Sequence, residues 1–531
     1  MFKKVEISIL AIICLFGLYC ALIVGSSWDE IFQMNIGKER LKYIFSFGSY
    51  KDYDFHVSRF YPGFYDTLAI FVTKFFPIKY EIEIWHLTNY IFSIFTVFGI
   101  YKITSLLFNK KVGKIVFLLC ILNPIFFGHM AMNAKDPLVA FAHVWSTYIF
   151  LRYLQTQNSN KNCYRHILLA GLTLGFGTGV RLPFVITLAP LYLFAIIDII
   201  FLKKITNPKF SINKFIVDSL IVCLLAYLIT ISFWPQVHAN IFVKPFNLFM
   251  ESFINDPFGV RFMLFNENII ETSKLPNTYL IINFFYKTPE FVLFSFIIFF
   301  FFLIAKKYFF ISKFNFFWNK LLLILFIFLF PIFCFIFIPF RVYDGLRLFI
   351  YTIPYFTIIP GLSLYFLIDN FDRLINKILL IIVTGLFAYY MTIFVSITPY
   401  QYTYLNKFVG KFENAYKKFE NDYWAISTKE LIEKIPQETN LISNNKKIKI
   451  SVCGANQQII ERQLNKLKKI KYERKDLYAK DVDYVIMTNR IYYQDEDKIE
   501  SVKSCFEKIK GKDVVKVERN GLILSTIRET R

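Results

Sequence analysis

No C-x-x-C pair accompanied by histidines occurs in the sequence, no internal repeat stands out, and no low-complexity stretch reads as a linker. The first absence excludes zinc fingers and ribbons, whose ligands are closely and regularly spaced. Eight cysteines are present, but six are scattered and imply no disulfide framework. Cys453 and Cys505 stand apart in a polar C-terminal stretch. They would bridge if that stretch is extracytoplasmic, but two buried free thiols are the favoured reading. A convincing cleavage site is also lacking. Lys3 and Lys4 precede an apolar run that is long for a leader, and Leu22-Ile23-Val24-Gly25-Ser26 is a poor match to the small-residue signal. The first segment therefore reads as a retained anchor. The formal net charge is +22, yet no basic stripe or known module points to nucleic acid.

What is abundant is apolar. Of 531 residues, 56% are hydrophobic and 65 are Phe, and the mean hydropathy is +0.45. Soluble chains carry less, so this is an α-helical polytopic membrane protein. Windowed hydropathy gives about eleven spans: 5–25, 84–107, 112–129, 137–154, 165–180, 183–202, 215–234, 287–305, 317–338, 348–367 and 377–398. With the amino terminus inside, lysine clusters such as Lys110-Lys111, Lys203-Lys204 and Lys306-Lys307 fall in the cytoplasmic gaps, as the charge rule requires. The stretch 61–76 would invert that parity if it crossed. It is short and flanked by Tyr and Lys, so it reads as a helix lying in the interface. Residues 26–83 then form one outer loop with interfacial helices at 28–47 and 61–76.

From residue 400 the composition turns soluble. The runs 448–452 and 482–487 read as strands, 456–467 as a helix, and 514–518 with 522–527 as a hairpin around Asn520-Gly521. That order suggests a small α/β domain. The expected organisation is a membrane domain over 1–399 and an extracytoplasmic α/β domain over 400–531.

The outer gaps collect ionisable groups. Ser26-Ser27-Trp28-Asp29-Glu30 follows the first span, and its S-x-x-E spacing could be no more than a capping box. Asn133-Ala134-Lys135-Asp136-Pro137 joins two spans; Pro137 suits a first helical turn, which would make Asp136 the N-cap. Arg181 ends a span and could simply snorkel to headgroups. Tyr343-Asp344-Gly345-Leu346-Arg347 could be a turn with a surface ion pair. His56, Arg59 and Tyr61 precede the interfacial helix. Each bland reading holds alone. Together they place acids and cations on one membrane face, where an acid can take a proton from an acceptor. Arg and Lys there can bind a departing phosphate.

In its ordered motifs the chain resembles the membrane-embedded GT-C glycosyltransferases of the protein O-mannosyltransferase and aminoarabinose transferase type. The likeness runs over about residues 5–400 and is carried by Asp29-Glu30, Tyr61-Pro62-Gly63-Phe64-Tyr65, Asn133-Ala134-Lys135-Asp136-Pro137, Gly177-Thr178-Gly179-Val180-Arg181, Leu275-Pro276-Asn277-Thr278-Tyr279 and Tyr343-Asp344-Gly345-Leu346-Arg347. It implies a transferase that moves a hexose or pentose from a polyprenyl phosphate donor to a glycan, lipid or protein acceptor on the extracytoplasmic face, in a bacterial inner membrane. Asp29 would be the catalytic base, supported by Glu30, with Asp136 orienting the acceptor or sharing the proton. Arg59, Lys135, Arg181 and Arg347 would hold the donor phosphate. Arg59 enters because Tyr61 stands where related enzymes have a Lys. His56, Tyr61, Asn133, Tyr343 and Asp344 would contact substrate. No metal is required, although Asp29, Glu30, His56 and Asp136 could hold a divalent cation. The rival readings are a lipid-linked glycan transporter or flippase, a polymer ligase, and a non-enzymatic scaffold. The transporter predicts charges within the spans, and these are sparse.

Overall fold

The computed structural model describes residues 2–50, 57–157, 160–254, 261–338, 340–438, 447–467, 470–479, 481–492 and 502–530. The chain begins with α1 (Phe2–Ile23), whose outward Ile7, Ile12 and Leu15 stay uncovered, as a lipid-facing helix requires. The loop after it contains α2 (Glu30–Phe45), a 3₁₀ turn at Val57–Phe60, and α3 (Phe64–Thr73). A helix thus occurs in each stretch read as interfacial, shorter than expected. Next come α4 (Glu81–Leu107), α5 (Lys110–Ile121), α6 (Pro124–His129), α7 (Asp136–Thr156) and α8 (Asn160–Val180). Local chemistry explains the breaks. The Asn109 side chain accepts the Val112 N–H at 2.9 Å and starts α5. Asn123 accepts from Phe126 at 3.0 Å, with Pro124 in the first turn, and starts α6.

α7 packs between α4 and α8, and the helix Ile212–Ser232 runs along α8. Two glycines allow that last approach: a Cβ on Gly171 or Gly175 would lie 2.7 or 2.8 Å from the Cβ of Leu225 or Ile229. The eleven sequence-read spans fall mainly on helix. Among the described residues, six helices are long and apolar enough to cross a membrane, or seven if the pair Tyr279–Lys287 and Glu290–Ala305, bent by 112°, is one span. The difference arises where polar caps and prolines divide a run. The expected span 112–129 is α5 and α6, and 183–202 is broken into Phe184–Thr187, Ala189–Ile197 and a π turn. The chain is a multi-pass membrane protein.

A hairpin of β1 (Phe262–Phe265) and β2 (Asn268–Glu271) lies in a later loop. The C-terminal region contains β3 (Ile448–Cys453), β4 (Tyr472–Arg474), β5 (Tyr484–Thr488), the short β6 (Ile491–Tyr492) and β7 (Lys503–Ser504), then β8 (Lys512–Arg519) and β9 (Leu522–Glu529). The main sheet has the order β4-β3-β5-β9-β8. β3 is parallel to β4 and β5, and β9 is antiparallel to β5 and β8. Asn520 and Gly521, at φ 51° and 80°, form the expected β8–β9 turn. Cys453 and Cys505 are bridged, with Cα atoms 5.8 Å apart, so the favoured reading of two free thiols is wrong. Cys453 ends β3, and Cys505 begins a short helix packed on the neighbouring β5, so residues 52 apart meet, a proximity that spacing alone does not reveal.

The C-terminal region sits directly on the helices. Trp28 N–H donates to the Trp424 carbonyl at 3.2 Å, Lys429 Nζ reaches the Ile23 carbonyl at 3.1 Å, and Asn456 Nδ2 donates to the Trp28 carbonyl at 3.2 Å. Within the C-terminal region Asp422 ties the segment next to these contacts, accepting from Tyr402, the Ile426 and Ser427 N–H groups and the Ser427 hydroxyl.

Candidate active site

Between the helices and the C-terminal sheet lies a cavity of about 400 Å³. Its walls come from segments far apart in sequence. Asp29 precedes α2, Asn133, Lys135 and Asp136 open α7, Arg181 follows α8, and Tyr343, Asp344 and Arg347 come from a turn before the 3₁₀ segment Arg347–Thr352. Arg261, Glu420, Trp424 and Arg490 close the remaining side.

Asp136 is not the N-cap of α7 but its first residue. The capping work falls to Asn133, whose carbonyl oxygen accepts the Lys135 and Asp136 N–H groups at 3.0 and 3.1 Å. Its amide donates to Asp136 Oδ2 at 2.9 Å. The Asp136 carboxylate is buried and faces two guanidinium groups, Arg181 at 3.2 Å and Arg347 at 3.5 Å. Arg347 also pairs with Asp344 at 3.0 Å, and Arg490 lies 3.9 Å from the other Asp344 oxygen. The result is an alternating row, Arg181–Asp136–Arg347–Asp344–Arg490. Alternation lets five charges be held out of water together, since each is offset by an opposite neighbour. Arg347 is further sandwiched by the rings of Tyr343 and Trp424, each at 4.7 Å.

Tyr61 is held by α2. Arg40, fully buried, bonds the carbonyls of Ser58 and Tyr61 and pairs with Asp66 at 3.4 Å. Gly63, at φ 79°, makes room, because a Cβ there would overlap the guanidinium. The Lys135 ammonium then rests 3.8 Å from the centre of the Tyr61 ring.

Asp29 differs from Asp136. It is half-buried in the cavity wall, and among the described residues its carboxylate has no hydrogen-bond or ion-pair partner. Counting the wall, Lys135, Arg181, Arg261, Arg347 and Arg490 face Asp29, Asp136, Asp344 and Glu420. The cationic surplus grows when Glu420 is neutral. Burial raises its pKa to about 7; Asp344 adds to the rise, and Arg490 and the Ile491 N–H oppose it.

Asp29, Tyr61, Asn133, Lys135, Asp136, Arg181, Tyr343, Asp344 and Arg347 therefore meet as the sequence suggested. Two expected residues do not. Glu30 turns away: one oxygen accepts the Ser27 N–H at 2.8 Å, half of the expected capping box, and the other faces His86 at 2.8 Å. Arg59 points outward to Glu251 at 2.5 Å and does not line the cavity. His56 lies outside the described residues. Of the groups expected to be able to share a divalent cation, the described Glu30 is committed to His86 and Asp136 to two arginines. Trp28, Gln33, Arg261, Glu420 and Arg490 were missed. A usable signal existed for Arg490, which follows β5, since ligands of α/β sheets sit at the carboxyl ends of parallel strands.

A family model described as dolichyl-phosphate-mannose-protein mannosyltransferase matches residues 71–232. Curated protein sequences give no match. Among solved structures, ArnT from Cupriavidus metallidurans in the apo state is 9% identical with a TM-score of 0.50, covering 99% of this chain and 97% of that one. The Archaeoglobus fulgidus oligosaccharyltransferase tethered to an acceptor peptide is 12% identical with a TM-score of 0.50, covering 92% and 69%. At these identities the likeness is one of fold. The fold is that of the GT-C glycosyltransferases. Its GT-C helices place Asp29, Asp136 and Arg181 on the cavity from three different loops, and the C-terminal region completes the wall.

Proposed function

We propose that the protein transfers a sugar from a polyprenyl phosphate donor to an acceptor on the extracytoplasmic face of the plasma membrane. The observation that carries this is the contrast within one cavity: a carboxylate, Asp29, with no hydrogen-bond or ion-pair partner among the described residues, sharing the lining with a fixed row of arginines. The acceptor hydroxyl or amine loses its proton to Asp29 as its heteroatom bonds the sugar C1. The bond from C1 to the phosphate oxygen breaks, and its electron pair leaves with the phosphate. Lys135, Arg181 and Arg347 face the charge that grows there. Their positions are set before the donor arrives, so little reorganisation opposes the step. Asp136 serves as the counter-ion that fixes the two arginines rather than as a second base. The family description supports a lipid-phosphate donor. The Cys453–Cys505 bridge supports an extracytoplasmic C-terminal region, because such bonds persist in oxidising compartments.

The test is turnover of labelled polyprenyl phosphate sugars by purified protein. Asp29→Asn is expected to lower turnover by about two to four orders of magnitude, and unchanged turnover would remove Asp29 from the mechanism. For topology, a cysteine at exposed Lys274 should react with an impermeant reagent from outside, while one at exposed Lys110 should not.

A further inference from the structure

We infer that Arg490, delivered by the C-terminal region, binds the substrate's phosphate together with Arg347, and that Gly454 and the Cys453–Cys505 bridge hold it in place. This rests on the transferase reading of the same cavity.

β3 and β5 are parallel neighbours, with Cys453 opposite Met487. Their carboxyl ends therefore deliver Gly454 and Arg490 side by side into the cavity wall. The contact is close. Gly454 has φ 69°, and a Cβ on it would lie 3.0 Å from Arg490 Cβ and 3.1 Å from Cys505 Sγ. The Cys505 N–H donates to the Arg490 carbonyl at 3.0 Å, and the Thr488 hydroxyl donates to the Gly454 carbonyl at 2.8 Å. The bridge thus ties the end of β3 to Cys505, whose N–H holds the Arg490 backbone.

The Arg490 side chain is aimed as well as anchored. Its guanidinium lies 5.1 Å from the Trp28 ring centre, next to Asp29, and one nitrogen donates to the Tyr423 carbonyl. The other terminal nitrogen is 3.9 Å from Asp344, an ion pair but too long for a hydrogen bond. Arg347 holds the opposite Asp344 oxygen at 3.0 Å. Two guanidinium groups on one carboxylate form a fork, and a phosphate oxygen entering from the cavity can accept from both. Arg490 is thereby a binding residue. Gly454, Cys453 and Cys505 are positioning residues.

The experiment is titration of the full-length, detergent-purified protein with undecaprenyl phosphate. Arg490→Ala is expected to weaken binding about tenfold, the size of one charge-assisted hydrogen bond. Arg490→Lys should recover part of the loss, since an ammonium keeps the charge but not the fork. Gly454→Ala presses a Cβ on Thr488 Oγ1, Arg490 Cβ and Cys505 Sγ, and it should weaken binding in the wild-type background while adding nothing to Arg490→Ala. Cys453→Ser should act in the same direction. Equal affinity for wild type and Arg490→Ala overturns this inference alone. A wild type that does not bind the lipid phosphate overturns the transferase reading, and this inference with it.

Discussion

The two walls of the cavity are built on different physics. The wall from residues 133–136, 181 and 343–347 is a row of buried, mutually paired charges, each set by a helix end or a tight turn. The wall from the C-terminal region adds one charge to that row, Arg490, and otherwise relies on aromatic rings, backbone carbonyls and a carboxyl whose pKa burial raises to about 7: Trp424, the Tyr423 carbonyl and Glu420. Paired charges are costly to disturb singly, because whichever partner remains stays buried without compensation. Rings and carbonyls bend to a ligand more cheaply. The first wall therefore suits a fixed electrostatic frame, and the second suits adjustment to what is bound.

Experiments can break this contrast. The largest expected effect is at the cavity carboxylate that has no ion-pair partner among the described residues, the Asp29→Asn loss described above. It should leave the melting temperature unchanged, since Asp29 has no ion-pair partner to lose among the described residues. Asp136→Ala should do the reverse and unfold the frame. Removing one partner of a buried pair costs about 3–5 kcal/mol, readable as a large drop in melting temperature in detergent.

Glu420 tests the adjustable wall. Below pH 7 it is neutral, and the cationic surplus facing the phosphate is larger. As pH rises through about 7 it ionises beside Arg490 and Asp344, and its new negative charge opposes the phosphate. The donor KM should therefore rise across that interval, and Glu420→Gln should flatten the profile. A profile unchanged in the Gln variant would assign the titration to another group in the cavity. The smallest effect is expected at Arg59→Ala. Its pair with Glu251 is about one-third exposed on both sides, so the loss should be about 0.2–1 kcal/mol of stability, with turnover unaltered. A large fall in turnover there would return Arg59 to the site.

Much of the membrane-side wall was legible from residue order. Asp29, Asp136, Arg181 and Arg347 each sit where an apolar run ends, and hydropathy finds such ends directly. Glu30 and Arg59 misled because sequence neighbours of a site residue can point elsewhere. On α2, one residue turns the side chain by about 100°, which takes Glu30 to Ser27 and His86 instead of the cavity. The role of Asp422-Tyr423-Trp424 emerges only in the fold, where Asp422 ties Tyr402 to the Ile426–Ser427 turn and Trp424 covers Arg347.

Hydropathy, charge parity and turn chemistry act over a few residues to a few tens. That range was enough to establish a helical membrane protein, the ends of its apolar runs and the β8–β9 hairpin. Which side chains share one cavity, that Asp136 is occupied while Asp29 is not, and that Cys453 bonds Cys505 depend on contacts across hundreds of residues. Only packing decides these, because burial and pairing are properties of the space between segments.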